Sequence, residues 1–157
     1  LISEQLVSHY SMFFETAILR LNTVYGSKQS KALIPQMIQK INNNETIYLA
    51  KGEGVILSPI YVDDVSKIFL KLIESNKRFN NEIINVAGEE IVSLEKIVKI
   101  VSKILNLNPK IEKTDNELKY FISDSTKLVR FLNSKFSFTT IEVGLKEVCD
   151  AYQFDSK

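Results

Sequence analysis

The sequence predicts a mixed fold, α/β or α+β, because strand-like and helix-like stretches alternate along the chain. Two observations carry that expectation. Short apolar runs such as residues 16–22 (TAILRLN) and 82–86 (EIINV) have the length and composition of buried strands. Between them lie longer stretches whose apolar residues recur every three or four positions, as on one face of a helix. With 157 residues, 45% of them hydrophobic, the chain can bury one real core.

Residues 1–14 open without a capping residue, and Leu1, Ile2, Leu6, Tyr10 and Phe13 recur near helical spacing. This reads as a helix already in mid-course. The 16–22 strand ends in a turn at Tyr25-Gly26-Ser27. Residues 32–42 form a helix with Leu33, Ile34, Met37, Ile38 and Ile41 on one face. Pro35 sits early in it, where a missing N–H costs little. Asn42-Asn43-Asn44 ends it, and residues 46–49 make a short strand. Lys51-Gly52-Glu53-Gly54 reads as a hairpin turn, after which residues 55–62 return as an extended segment. Pro59 interrupts that segment and argues against a central, fully paired position.

Residues 63–75 are strongly amphipathic, with Val65, Ile68, Phe69, Leu72 and Ile73 as the apolar stripe. Asp63 or Asp64 is expected to cap this helix, where a negative charge also suits the dipole. The 82–86 strand closes at Ala87-Gly88. Ser93 caps a long helix through Leu105, with Leu94, Ile97, Val98, Val101, Ile104 and Leu105 inward. Residues 109–113 make a short strand and residues 124–132 a short helix. The last helix runs from Thr139 to about Tyr152, with Thr139 and Glu142 as a capping box and Leu145, Val148, Cys149 and Tyr152 facing the core. The tail after Gln153 is expected to fray.

The composition excludes several function classes. A formal net charge of only +1, with acids and bases mixed, gives no basic stripe for nucleic acid or a membrane surface. No apolar run approaches the roughly 20 residues of a membrane helix. These 157 residues contain no charged-then-apolar signal-peptide pattern, and a single cysteine, Cys149, permits neither an intrachain disulfide nor a cysteine-rich metal site. A reducing, cytoplasmic location is the expectation.

Taken singly, the residues hold no complete active site. Gly52-x-Gly54 lies between two strands, whereas a phosphate-binding fingerprint sits at a strand-to-helix turn. His9, the only histidine, has no identifiable acidic or serine partner and reads as a surface residue. Asp63-Asp64 reads as capping in preference to a carboxylate pair or a metal site. Cys149 reads as an inert core thiol, and Tyr25 and Tyr61 as core rings with hydrogen-bonded hydroxyls.

The order of the segments is more informative than any one of them. An apolar helix leads into ILRLNTVYG; then come LIPQMIQKI, a glycine-rich turn and SPIYVDDVSKIFLKLIE. INVAGEE, SLEKIVKIVSKIL, DSTKLVRFL and TTIEVGLKE close the chain. This succession resembles the C-terminal half of the extended short-chain dehydrogenase/reductase family, the NAD-dependent epimerase/dehydratase group that acts largely on nucleotide sugars. The resemblance spans essentially the whole chain. It rests on a set of features: the spacing of Arg20, Tyr25 and Gly26, then Tyr61-Val62-Asp63-Asp64, then the strand end from Asn85 to Gly88. It implies an α/β fold, the C-terminal portion of an NAD(P)-binding Rossmann-type fold with the small substrate-binding subdomain, over residues 1–157.

In that family the helix beginning like LISEQLV carries the catalytic tyrosine and, four residues on, the catalytic lysine. The lysine stands immediately before the residue matching Leu1. The resemblance thus implies that the catalytic pair and the glycine-rich dinucleotide fingerprint lie upstream, and that no residue of this chain is catalytic. In such enzymes the tyrosine exchanges a proton with a sugar hydroxyl while the nicotinamide of NAD or NADP takes or returns a hydride. The lysine lowers the tyrosine pKa, since a nearby cation favours the phenolate.

What this half would supply is a wall and a lid. Leu21 and Asn22 match positions that pass beside the nicotinamide, largely through backbone. Thr23 stands where many nucleotide-sugar members have an asparagine touching the diphosphate. Ala32 and Leu33 match the segment lining the nucleotide pocket. Leu57 falls where many members carry an arginine that pairs with the diphosphate, a contact leucine cannot make. Ser27 replaces the proline that usually follows Tyr-Gly. Asn22 does not stand in for the missing asparagine, because a one-residue shift changes strand face. The first helix, through Tyr10 or His9, matches a region that commonly pairs across a dimer two-fold.

Two other readings stand beside the enzyme half: a catalytically silent binding protein that kept the fold, and an independent small α/β interaction domain. The last predicts a cooperative monomer. The enzyme half predicts open sheet edges at residues 16–22 and 82–86, exposed apolar surface and association.

Overall fold

The computed structural model describes residues 2–29, 31–132 and 136–154. Leu1, where the first helix was expected to be already under way, lies outside them, as do residues 155–157 of the expected frayed tail. The first part of the chain runs α1 (Ile2–Tyr10), β1 (Ala17–Leu21), β2 (Val24–Tyr25), α2 (Leu33–Asn42), β3 (Ile47–Ala50), β4 (Val55–Leu57), β5 (Ile60–Tyr61) and α3 (Val62–Ile73). It continues β6 (Glu82–Val86), β7 (Val92–Ser93), α4 (Leu94–Leu105), β8 (Ile111–Thr114), β9 (Lys119–Phe121), α5 (Thr126–Leu132) and α6 (Ile141–Phe154). No described helix is long and apolar enough to cross a membrane.

The strands pair mostly in parallel, as the α/β expectation requires. β1 lies beside β6, in register from Ala17 opposite Glu82 to Leu21 opposite Val86. β2 pairs with β5 and β3 with β8, both parallel. β4 is flanked by antiparallel β7 and parallel β9. The main core lies where α2, α4 and α6 meet β3 and β4, around Ile34, Ile38, Leu49, Leu57, Val98 and Leu145. A second core joins β6, α3 and α5 through Ile84, Val86, Ile68 and Leu128. Each fully buried aliphatic chain contributes about 1.5–3 kcal/mol relative to exposure.

Local signals hold where the chain satisfies them locally. The Ser93 hydroxyl accepts from the Lys96 amide at 3.1 Å, capping α4, and β6 spans the residues expected of it. α2 buries Ile34, Pro35, Met37, Ile38 and Ile41, with Pro35 in the first turn.

Several expectations are corrected. β3 and β4 do not form a hairpin: after the Lys51–Gly54 turn they bond to different partners, β8 on one side and β7 and β9 on the other. The turn itself is tight, with Gly54 N bonding Ala50 O at 2.9 Å. Gly54 is at φ +75°, and a Cβ there would lie 3.0 Å from Leu49 and Leu94 side-chain carbons. α1 stops at Tyr10, because Ser11 turns back and gives both its amide and its hydroxyl to Ser8 O. The 16–22 strand is not buried: β1 has exposed ends, and no described strand bonds to its second edge.

Neither aspartate caps α3. Its N-cap is Tyr61, and Asp64 is fully buried in the first turn. The Asp64 carboxylate accepts from the Thr139 amide (2.6 Å), the Thr139 hydroxyl (3.0 Å) and Lys67 Nζ (3.1 Å). Thr139 is therefore not in a capping box; Thr140 Oγ1 accepts from Val143 N instead, at 3.4 Å. On the same helix α3, Phe69 and Ile73 are exposed, so the buried stripe narrows to Val65 and Ile68, with Leu72 partly covered.

Candidate functional site

The carboxyl ends of β1 and β6 form a ledge, the usual position for ligands in parallel α/β sheets. Beyond β1 the chain continues through Asn22 and Thr23; beyond β6 it continues through Ala87 and Gly88. The ledge is held by backbone: Asn22 N bonds Val86 O at 2.9 Å, and Ile60 N bonds Thr23 O at 3.2 Å. Gly88 lies so close to Pro59 that a Cβ there would be 2.1 Å from the Pro59 carbonyl oxygen. That contact explains why a glycine stands at the end of this strand.

A polar knot fixes the ledge from one side. Asn22 Nδ2 donates to Ser58 Oγ and to the Phe121 carbonyl, each at 3.1 Å. Ser123 N donates to the same Ser58 oxygen at 3.2 Å. Ser58 is itself buried. Thr23 adopts φ +40°, an uncommon conformation for a β-branched residue, and its hydroxyl donates to Asn22 Oδ1 at 3.1 Å. One buried hydroxyl thus ties together the end of β1, the Pro59 break and the segment after β9.

Behind the ledge, Tyr25 and Tyr61 meet with ring centroids 5.5 Å apart. Burial, followed by the negative field of Asp64 and Glu90, pushes the Tyr25 phenol above its ordinary range. Burial, then Glu147, pushes Tyr61 up to about 12, and its hydroxyl donates to Glu147 Oε2 at 3.2 Å. Both rings stay neutral at physiological pH; Tyr25 serves in packing, and Tyr61 packs and donates through its hydroxyl. A cavity of about 170 Å³ lies between Tyr25, Pro59, Gly88, Glu90 and the start of α6. His9 is on exposed α1 against the Tyr10 ring, far in function from any acid or nucleophile partner in the described contacts. Burial pushes the Cys149 thiol up to about 11, consistent with an inert core position.

The structure brings Leu21, Asn22 and Thr23 together on the ledge. Leu21 is 49% exposed, whereas the Asn22 amide is committed to Ser58 and Phe121. Ala32 and Leu33 stand apart at the amino end of α2, where Ala32 is the N-cap and Leu33 packs against the main core. Leu57 is 1% exposed, inside the main core, and presents no side-chain surface to a ligand in this arrangement. Ser58, Ser123 and the Phe121 carbonyl escape a sequence reading, since their roles depend on the β4–β9 pairing. Only Pro59, which ends β4 and so exposes Ser58 to the knot, offered a signal.

Comparison with known proteins bears on the family and the fold. The model of the NAD dependent epimerase/dehydratase family matches residues 1–87. CDP-abequose synthase of Salmonella muenchen is 27% identical over 139 residues, covering 83% of this chain and 45% of that protein. GDP-6-deoxy-D-talose 4-dehydrogenase of Aggregatibacter actinomycetemcomitans is 26% identical over 152 residues, covering 92% of this chain and 51% of that protein. The chain therefore spans about half the length of the curated relatives it matches. The fold superposes on UDP-glucuronic acid 4-epimerase from Bacillus cereus, solved with UDP-glucuronic acid and NAD, with a TM-score of 0.82 at 23% identity, over 96% of this chain and 50% of that one. It also superposes on UDP-glucose 4-epimerase from Thermotoga maritima, solved with UDP-glucose, with a TM-score of 0.80 at 18% identity, over 99% and 52%. With a family match over more than half its residues and the parallel strand-end ledge of a Rossmann-type sheet, the chain belongs to the NAD dependent epimerase/dehydratase family.

Proposed function

We propose that this chain is the substrate-side part of an NAD(P)-dependent nucleotide-sugar epimerase, dehydratase or reductase, completed by a dinucleotide-binding half. One arrangement carries the reading: the β1–β6 ledge lies beside a β1 edge to which no described strand bonds. An open edge of a parallel, half-exposed strand is where a further strand adds. α1 supports the same view. None of its described residues is buried, and Ile2 and Leu6 face solvent. The same helix is the surface through which two copies would pair.

In this reading Leu21 and Asn22 line the nicotinamide side, Leu21 through its exposed aliphatic chain and Asn22 through backbone. Thr23, Ala32 and Leu33 face the nucleotide sugar. The described glycines offer no dinucleotide cradle: Gly52 and Gly54 turn between strands, and Gly88 is pressed on Pro59. NAD or NADP, when bound, supplies the hydride acceptor. This chain's residues flank it, position the sugar and exclude water. Leu57 makes no phosphate contact, so the diphosphate would be held by other groups. The nucleotide-sugar assignment draws its support from the CDP- and GDP-sugar relatives.

The test is to express the chain with its upstream coding region and screen for NAD(P) binding and turnover of UDP-, CDP-, GDP- and dTDP-sugars. A tyrosine-x-x-x-lysine just ahead of Leu1 and cofactor-dependent turnover are expected. A reading frame that initiates at Leu1, or an upstream region without a dinucleotide fingerprint, overturns the proposal. The buried Leu57, in place of a phosphate-binding cation, favours one second reading: a silent binding protein. Cofactor binding without turnover of any sugar would select it.

A further inference from the structure

We propose that the groove between the carboxyl end of α3 and α5 is a binding site for a diphosphate group. The groove is an open depression of about 1020 Å³ lined by Lys71, Lys77, Lys127 and Arg130, with Asp124 as the one acidic residue in its wall. A second carboxylate, Glu82, pairs with both Lys127 (2.8 Å) and Lys77 (3.9 Å). Four cations against two carboxylates leave an excess of two positive charges, in a chain whose formal net charge is only +1. Like charges gathered in one concavity repel unless an anion joins them.

The cations divide into two kinds. Lys127 is held in place, donating also to the Ile83 carbonyl at 3.0 Å. Lys77 lies over the Phe79 and Phe131 rings, 5.6 and 5.7 Å from their centroids. Lys71 and Arg130 make no ion pair among the described residues. Asp124 Oδ1 accepts from the Thr126 amide at 2.9 Å, and these Thr126 hydrogen bonds, then the nearby Arg130 charge, hold its carboxyl below the ordinary range. Two ammonium groups held by Glu82 and two cations without a close ion pair among the described residues, one a planar guanidinium that suits paired phosphate oxygens, match a multiply charged phosphate ligand. The Ser75 and Thr126 side chains also line the groove and can donate to phosphate oxygens.

The basic end of the groove lies away from the ledge, since Lys127 bonds Glu82 and the Ile83 carbonyl, whereas its Asp124 wall adjoins Ser123, whose amide bonds Ser58 of the polar knot. Its Lys127 side sits at the amino end of β6, where the α3–β6 connection enters, and the ledge is at the other end of that strand, about 13 Å away over four steps. α5 packs against β6 in the second core, and Asn85 Nδ2 donates to Asp124 O just before it at 3.0 Å.

The experiment is calorimetric titration of the full chain with inorganic pyrophosphate and, separately, with uridine diphosphate, at low and at raised salt. Both probes are expected to bind, more weakly as salt screens the site. Lys71→Glu/Arg130→Glu should weaken pyrophosphate binding by at least about tenfold, while Lys28→Glu/Lys110→Glu leaves it unchanged. Equal affinity for the two probes assigns the site to a bare diphosphate, and tighter uridine diphosphate binding that is lost in the same variant assigns it to a nucleotide. Should the reversed variant fail to fold, Lys71→Gln/Arg130→Gln is measured in its place. Absence of pyrophosphate binding at low salt, or equal binding by the groove variants and the remote pair, overturns the proposal and leaves the groove a solvated basic face.

Discussion

Asp64 and Thr139, 75 residues apart in sequence, are joined by two hydrogen bonds: the Asp64 carboxylate accepts from the Thr139 amide at 2.6 Å and from its hydroxyl at 3.0 Å. Because Asp64 is fully buried, this clamp fixes the approach of α6 to α3. Asp64→Ala strands the Thr139 donors and is expected to cost about 2–4 kcal/mol. Thr139→Val keeps the amide bond and is expected to cost about 1 kcal/mol. Urea unfolding of the two variants checks the ordering; equal losses would show that the carboxylate is not the centre of the clamp.

The Gly144–Tyr25 contact should be equally sensitive. A Cβ at Gly144 would stand 2.1 Å from the Tyr25 hydroxyl and 2.9 Å from the ring carbon bearing it. Alanine would gain about 1 kcal/mol of helix propensity, yet overpacking of a buried ring costs about 1–3 kcal/mol. Gly144→Ala is expected to lower the melting temperature, and Tyr25→Phe in the same background to recover part of the loss. A stabilised single variant would contradict the packing described.

Alkaline pH should unfold the chain from within. Cys149 is raised from 9.0 to about 11 and Tyr61 from 10.0 to about 12, in each case first by burial. Both groups are neutral when protonated, so the unfolded chain ionises first as pH rises. Their contribution is complete below the unfolded values and is lost between about 9 and 12. Denaturation followed from pH 7 to 11 should show a decline beginning near pH 9 that is shallower in Cys149→Ala. A decline of identical slope in that variant would exclude the thiol.

Ser58 is predicted to hold the ledge. Ser58→Ala removes the acceptor shared by Asn22 Nδ2 and Ser123 N and should cost about 1–3 kcal/mol. Faster hydrogen exchange at the Ser123 amide, with the α4 amides unchanged, is the expected signature. Uniform acceleration across the chain would instead report global destabilisation.

The exposed apolar residues of α1 and the turn after it, among them Leu6 (58%), Phe13 (69%) and Phe14 (59%), lie beside the open β1 edge in the chain. Sedimentation of the chain by itself should show concentration-dependent association. Leu6→Glu/Phe13→Glu should shift it toward the monomer; a chain that is monomeric at all concentrations contradicts the enzyme-half reading.

The sequence by itself determined the order and kind of the longer elements, because those signals are local. The periodicity of α2 and α4, the Ser93 cap and the apolar run of β6 each act within a few residues. The segment order likewise sufficed to identify the family. Tertiary structure alone decided the partners. β7 and β9, two and three residues long, exist only because β4 lies between them, and β3 bonds β8 in place of its neighbour β4. Thr139 and Thr140 have the same capping chemistry, and a buried carboxylate from α3 selected which of them caps α6. Leu57 and Ser58 are adjacent in the chain, yet one side chain enters the core and the other the polar knot. Such choices depend on groups brought together from distant positions, and no local period records them.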